Sequence, residues 1–345
     1  MDGNKYYKMI RACNASRIVL FSVTFFQEES LSMKMMILSV CFIASLFAQT
    51  DTQYVTLEGK TYAYTKPAFW DFITKAPQDF VSFGNQAFQR KNWNSLGWIA
   101  GSTALLLYYD QPIYDDISAY GRRIGIGNED NTETWLSIDG FPIFRGPTDA
   151  GSAMYFIGDG WFHLGFSVGF WVVGEINDDN RALQTASQIA RGMFTCGLST
   201  QFLKHITGHE TPNYASVRGG RWRWFPNQVD YHKAVPKYDA FPSGHVATAS
   251  MTLTVIAENY PESKWIKPVG WSLIGLLSLQ MINNGVHWAS DYPLAIGMGY
   301  LFGKIAVESG RTLVTEDNEE KTASLRILPQ MSGTGYYGLT LGYTF

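Results

Sequence analysis

Apolar and polar residues alternate in part over Tyr54–Tyr64, with Gly59-Lys60 in the middle, which predicts a short hairpin with a Gly-Lys turn. Residues 66–92 are mixed and read as a short surface helix. From 92 to 109 no charged residue occurs, and Leu96, Trp98, Ile99, Ala100, Leu105, Leu106 and Leu107 predict the first core helix. Residues 110–150 are rich in Asp, Gly, Pro and Asn and read as a long loop with short helical turns, docked on the domain or functional. A second apolar segment covers 153–175 and is interrupted by Asp159 and His163. A helix follows over 181–206, with Arg181, Gln184, Gln188 and Arg191 on its polar side. Residues 213–240 are irregular, basic and aromatic, and three further helices are predicted over 244–259, 267–286 and 291–307. Six helices without an internal repeat predict an all-α bundle.

The two ends of the chain differ from this core. Met33-Lys34-Met35-Met36, an apolar run through Phe47 and then Ala48 have the layout of a secretory signal. Residues 1–32 then read as an upstream extension of the reading frame before a start at Met33. The other reading is an N-terminal anchor aided by the apolar stretch Ile18 to Phe26. At the far end, Tyr337 to Phe345 alternates large apolar with small residues, a pattern shared with the last strand of outer-membrane barrels. One hairpin with Arg326 to Gln330 cannot close a barrel, so this small terminal β-hairpin is expected to pair with the Tyr54–Tyr64 strands. The resulting organisation is 1–48 extension and signal, 49–91 strands and surface helix, 92–307 helical domain, and 308–345 β tail.

Composition narrows the class. Hydrophobic residues make up 46% and charged residues 17%, which excludes wholesale disorder. A net charge of −3 lacks the basic footprint of a nucleic-acid binder. Three cysteines, Cys13, Cys41 and Cys196, cannot build a disulfide framework or a cysteine-rich zinc site. The charge-free segment 268–290 is long enough for a membrane span, whereas 160–174 and 292–303 are shorter. Arg191 would sit mid-span in its helix, which is costly unless it faces the bundle interior. Two arrangements stay open: a bundle embedded by short spans, or a soluble, aromatic-rich envelope bundle.

Three blocks carry chemistry. Lys204 to Pro212 contains a lysine at a helix C-terminus, where a cation suits the dipole, followed by Gly208 as a helix stop. Phe241-Pro242-Ser243-Gly244-His245 opens a helix: Ser243 is a natural N-cap, Gly244 allows close approach, and the free N–H groups suit a phosphate. His287 and Asp291 stand four residues apart, and a carboxylate on one ring nitrogen leaves the other as a nucleophile.

Together these blocks resemble the type 2 phosphatidic acid phosphatase superfamily, which also holds bacterial acid phosphatases and vanadium haloperoxidases. The family pattern is Lys, six residues, Arg-Pro; then Pro-Ser-Gly-His; then Ser-Arg, five residues, His, three residues, Asp. Lys204, Pro212, Pro242-Ser243-Gly244-His245, His287 and Asp291 match in order and spacing. Thr211 and Gln280-Met281 stand where the family has arginine and Ser-Arg. At about 4 Å and an effective dielectric near 20, each lost charge contact is worth about 4 kcal/mol before desolvation. His209, Arg218, Arg221 and Arg223 are candidate substitutes, or the arginines are solvated or paired with the acidic 110–150 segment.

The resemblance implies a six-helix bundle and a hydrolase of phosphate monoesters that needs no metal or cofactor. His287, oriented by Asp291, would form a phosphohistidine, and His245 would protonate the leaving oxygen. Lys204, Ser243, Gly244, Arg221 and Arg223 would hold the phosphoryl group. A phosphorylated lipid or a small phosphate ester would be the substrate, on the exported side of a cell envelope in association with a membrane. The alternatives are a non-catalytic envelope protein with a weakened phosphate pocket and a vanadate-dependent peroxidase.

Overall fold

A computed structural model describes residues 18–25, 52–315, 324–331 and 337–344. The signal segment 33–48 lies outside the described residues. Two compact units are present: residues 53–312, and the two termini together. The terminal unit contains an antiparallel sheet in the order β1-β8-β7, from β1 (Ile18–Phe25), β7 (Ser324–Met331) and β8 (Tyr337–Thr344). The expected C-terminal hairpin exists, but its partner differs. Both edges of β8 are taken, by β7 on one side and β1 on the other, so it does not pair with the Tyr54–Tyr64 strands.

The hairpin near the start of the larger unit is β2 (Thr52–Leu57) and β3 (Lys60–Thr65), with the two-residue β6 (Thr312–Leu313) beside β3. Its turn residues are Glu58 and Gly59, with φ of 50° and 79°. That is one residue earlier than the predicted Gly-Lys turn, and positive φ at both central positions is the type I′ geometry of a two-residue hairpin. Two helices follow, α1 (Asp71–Thr74) and α2 (Ala76–Ala87). The second does more than lie on the surface. Its Asp79 forms a 3.0 Å ion pair with Arg191, both side chains buried. Phe83 stacks on Phe302 at 4.2 Å between ring centres.

The reading of 92–123 changes most. Helix α3 runs from Trp93 to Arg123 and ends well inside the region expected to be a loop. Only part of its apolar face joins the core: Leu106, Ile113, Tyr114 and Ile117 pack against it, whereas Trp98 is 80% and Tyr108 79% exposed, and the fully buried positions are Asp110, Ser118 and Gly121. Asp110 does not stop the helix, because it turns inward to a partner described below. The rest of the expected loop contains β4 (Thr132–Ile138) and β5 (Phe141–Pro147), joined through Asp139-Gly140 at φ 50° and 79°. Asp-Gly between strand-forming residues is a strong hairpin signal.

The remaining helices are α4 (Ala150–Phe156), α5 (Gly160–Asn177), α6 (Asn180–Thr207), α7 (Gln228–Lys233), α8 (Gly244–Asn259), α9 (Ile266–Asn283) and α10 (Tyr292–Glu308). The predicted 153–175 segment is thus two helices, divided where Asp159 caps α5 by accepting from the Trp161 N–H. The count of ten helices among the described residues exceeds the six expected. The core lies between α6, α8, α9 and α10, around Ile189, Val246, Met251, Leu277, Ala295 and Phe302. Helices α8 and α10 pack with their backbones close, since a Cβ on Gly299 would lie 2.9 Å from the Met251 nitrogen.

No helix among the described residues is long and apolar enough to cross a membrane. The charge-free segment 268–290 is not one span, because α9 ends at Asn283 and the chain turns at Gly285, φ 65°.

Candidate active site

Each of the three blocks sits at a helix end. Helix α6 ends at Thr207, where Gly208 takes the left-handed conformation at φ 53° and donates its N–H to Lys204 O. Helix α8 starts at Gly244, with the Ser243 hydroxyl accepting from the Val246 N–H. The turn Ala289–Asp291 leads into α10. Hydrogen bonds tie these ends together. Thr207 Oγ1 donates to Phe241 O at 2.9 Å, and the Ala240 N–H donates to His209 O at 3.0 Å. The Ser243 N–H donates to Asp291 O at 3.2 Å, and Trp288 Nε1 donates to Glu210 O at 2.7 Å. Three segments far apart in sequence therefore meet at one end of the bundle.

The two histidines converge there. The rings of His245 and His287 lie 6.3 Å apart, centre to centre. His287 Nδ1 lies 3.0 Å from Asp291 Oδ2, which also accepts the Trp288 N–H at 2.8 Å. An ionised carboxylate only accepts, so Nδ1 carries the proton and Nε2 keeps its lone pair. Burial alone would raise the Asp291 pKa, but His209 and His287 outweigh it and hold the carboxyl below its ordinary value. The contact to His209 is electrostatic rather than a hydrogen bond, because Nδ1 stands 3.6 Å from Asp291 Oδ1. Burial, then the neighbouring His287, Lys204 and His163, push the His245 imidazole down to about 3. Without a bound anion it is neutral at pH 7.

Lys204 is 4% exposed, and a Cβ built on Gly244 would lie 4.0 Å from its ammonium. The cation thus stands over the N-terminus of α8, the end that favours an anion. The same ammonium is already paired with Asp239 Oδ2 at 2.9 Å, and Tyr231 OH donates to Asp239 Oδ1 at 2.6 Å.

This cluster gathers the residues of the sequence motif at one end of the bundle. Residues 186–313 match the PAP2 superfamily. This segment is a PAP2 superfamily domain. It contains Lys204, Ser243, Gly244, His245, His287 and Asp291. Lipid A 1-phosphatase from Porphyromonas gingivalis is 32% identical over 68 residues, 19% of this chain. The match spans 15% of that protein's length. No solved structure matches.

The PAP2 domain lacks the arginines of its family pattern at two buried positions. Met281, fully buried, lies with its sulfur 4.0 Å from Ser243 Oγ, and Thr211 is 6% exposed. The expected substitutes are engaged elsewhere or exposed, Arg218 among the exposed ones. Arg223 donates to Glu210 Oε1 at 2.5 Å and to Lys237 O, and lies over the Tyr238 ring. Arg221 donates only its backbone N–H to Glu210 Oε2, and its side chain is exposed. Ser216 adds its N–H and hydroxyl to Glu210 Oε2. Burial opposes ionisation of Glu210, but these donors outweigh it and hold its carboxyl at about 2. Glu210 therefore organises the basic loop, and neither Arg221 nor Arg223 contacts the histidines or Lys204. His209 is likewise committed, with Nε2 on Gly219 O and its ring stacked on Trp222 at 4.0 Å.

Several site residues carry no motif. Asp239 and Tyr231 surround Lys204, and Tyr155 of α4 stands 5.1 Å from His245, ring to ring. Asp110, on the helix expected to end before it, accepts the Ser290 N–H at 3.0 Å and the Ser290 hydroxyl at 2.6 Å. Burial pushes its carboxyl up to about 6 against those hydrogen bonds. It clamps the turn that carries Asp291. Only its position as a lone carboxylate after a charge-free stretch could have marked it in the sequence. Among the described residues no group of three or more His, Cys, Asp or Glu is arranged to hold a metal ion.

Proposed function

We propose that this chain is a phosphate monoester hydrolase acting through a phosphohistidine, with a phosphorylated lipid as substrate. One observation carries the reading: His245 and His287 share one pocket, 6.3 Å apart, with Asp291 on the far nitrogen of His287 and Lys204 over a helix N-terminus. In the first step His287 Nε2 attacks phosphorus, the P–O bond to the leaving group breaks, and protonated His245 delivers a proton to the departing oxygen. The dianionic substrate supplies the negative charge that raises the His245 pKa towards a working value. Lys204 and the α8 N–H groups stabilise charge on the transferring phosphoryl oxygens. In the second step water attacks phosphorus, His245 accepts a proton from it, and the P–N bond breaks to release phosphate. None of these steps calls on a metal ion.

The lipid half of the proposal is supported by the likeness to lipid A 1-phosphatase. It is also supported by exposed aromatic residues such as Trp98, Tyr108, Trp161, Trp171 and Trp265, amphipathic rings of the kind found at membrane interfaces. An exported, envelope-bound location belongs to the same proposal and rests on the Met33–Ala48 signal layout.

The test is hydrolysis of p-nitrophenyl phosphate, a phosphatidic acid and a lipid A 1-phosphate by purified protein beside His287→Ala. Turnover lost in His287→Ala, with acid-labile phosphate on the wild-type protein, supports the proposal. No turnover of any substrate supports instead a phosphate-binding protein. The Lys204–Asp239 pair, Thr211 and Met281 favour that second reading, because all three weaken the grip on an anion.

A further inference from the structure

An apolar cavity of about 350 Å³ lies between α5, α8 and α9. Phe162 and Phe166 of α5, Leu253 and Ile256 of α8, and Leu273 and Ile274 of α9 form its walls. Small-molecule sites have this character: cavities of about 300–1,000 Å³ with apolar walls and a few placed polar groups. The lining contains no Asp, Glu, Lys or Arg. A sugar or a second phosphate would lose its hydration there without replacement.

Two of the polar lining residues, which also include Tyr260 and Ser263, are informative. His163 lines the cavity and is 2% exposed, yet neither Nδ1 nor Nε2 has a hydrogen-bond partner. Thr252 lines it too, 3% exposed, and its Oγ1 is likewise without a partner. Buried polar atoms in native proteins are nearly always satisfied, and an unsatisfied one carries its full desolvation penalty. Two such groups facing one apolar space mark where a ligand's oxygen would sit.

The cavity borders the catalytic pocket. Ile157 lines it, and the next residue, Gly158, packs so closely on the acid that a Cβ there would lie 2.7 Å from His245 Cβ and 2.9 Å from Leu277. His163, which lines the cavity, is itself a neighbour of His245.

We propose that the cavity holds the hydrocarbon chain of an amphiphilic phosphate ester, with His163 and Thr252 bonding an ester or hydroxyl oxygen near the head of that chain. The proposal rests on the phosphatase reading for the headgroup, but its test does not. Monolaurin, a monoacylglycerol without phosphate, is titrated into the purified protein while tryptophan fluorescence is followed, since Trp265 lines the cavity. Saturable quenching is expected, lost in Leu273→Trp and Ile256→Trp, which fill the space. Circular dichroism shows whether each variant is folded. His163→Phe weakens monolaurin more than it weakens dodecane-like alkyl probes, and His163→Asn restores part of the difference.

Turnover supplies the second arm. Across butyl, hexyl and octyl phosphate, kcat/KM rises by about fourfold per methylene, and Leu273→Trp flattens the series while leaving p-nitrophenyl phosphate unchanged. A flat series with no monolaurin quenching, while p-nitrophenyl phosphate is hydrolysed, overturns the cavity proposal and spares the phosphatase reading. Quenching without hydrolysis of any ester does the reverse. Chain-length dependence or quenching that survives in both folded tryptophan variants places the chain on the outer apolar faces and overturns the cavity proposal.

Discussion

Lys204 and Asp239 form a 2.9 Å ion pair in the pocket where a phosphoryl group would have to bind. Lys204 is the cation retained from the family pattern, and the pair leaves it without free positive charge. An incoming phosphate must therefore displace Asp239 from the ammonium or share it. Asp239→Asn keeps the shape, removes the competitor and is expected to tighten inorganic phosphate binding by about tenfold, read by titration calorimetry. Lys204→Ala moves the other way. Weaker binding in Asp239→Asn would instead assign Asp239 the task of aiming Lys204.

The hydrogen bond between His287 and Asp291 sets a second expectation. Asp291→Asn keeps the volume but removes the charge that holds the Nδ1 proton and steadies the imidazolium. The rate of p-nitrophenyl phosphate hydrolysis should fall by about 10²–10⁴-fold, the range for a positioned acid–base group, with little change in KM. An unchanged kcat would remove His287 from the role of nucleophile.

The acid and the nucleophile separate by leaving group. p-Nitrophenolate departs without help, whereas an alkoxide needs the proton of His245. His245→Ala is expected to slow octyl phosphate far more than p-nitrophenyl phosphate, measured as the ratio of the two kcat/KM values. Equal losses on both substrates would mean that His245 binds rather than protonates.

Buried histidine makes the fold acid-sensitive. Burial pushes the His163 imidazole down to about 4 from an unfolded value near 6.5. Between those values the unfolded chain holds more protons, so stability is complete above pH 6.5 and drains as pH falls towards 4. From pH 7 to pH 5 this group alone removes about 2 kcal/mol. Urea midpoints at the two pH values check it, and His163→Phe should shrink the difference by that amount.

The Asp79–Arg191 pair joins α2 to α6 in the interior. Asp79→Ala leaves a buried guanidinium uncompensated and is expected to destabilise by about 3–5 kcal/mol, seen in urea denaturation. Replacing both partners, Asp79→Ala with Arg191→Met, should recover much of that loss.

Legibility in the sequence followed the range of the interaction. Helices α6 and α8 were read to within a residue or two, because capping by Ser243 and Gly208 is local chemistry. The Asp-Gly turn of β4 and β5 was equally local but hidden in a segment that looked like a loop by composition. Helix α3 differs for another reason: its apolar stretch is split between the core, through Leu106, and an exposed face carrying Trp98 and Tyr108, with Asp110 buried. Partners separated by 180 positions, such as Asp110 and Ser290, leave no mark on either neighbourhood.

From the sequence alone came the three blocks, their order and their helix-end placement, because N-caps, helix stops and a four-residue His–Asp spacing act within a turn or two of chain. Tertiary structure alone decided that the two imidazoles share a pocket, that Asp239 occupies the lysine, and that Arg223 answers to Glu210. Charges choose partners by distance in space, and the packing of α6, α8 and α10 sets those distances.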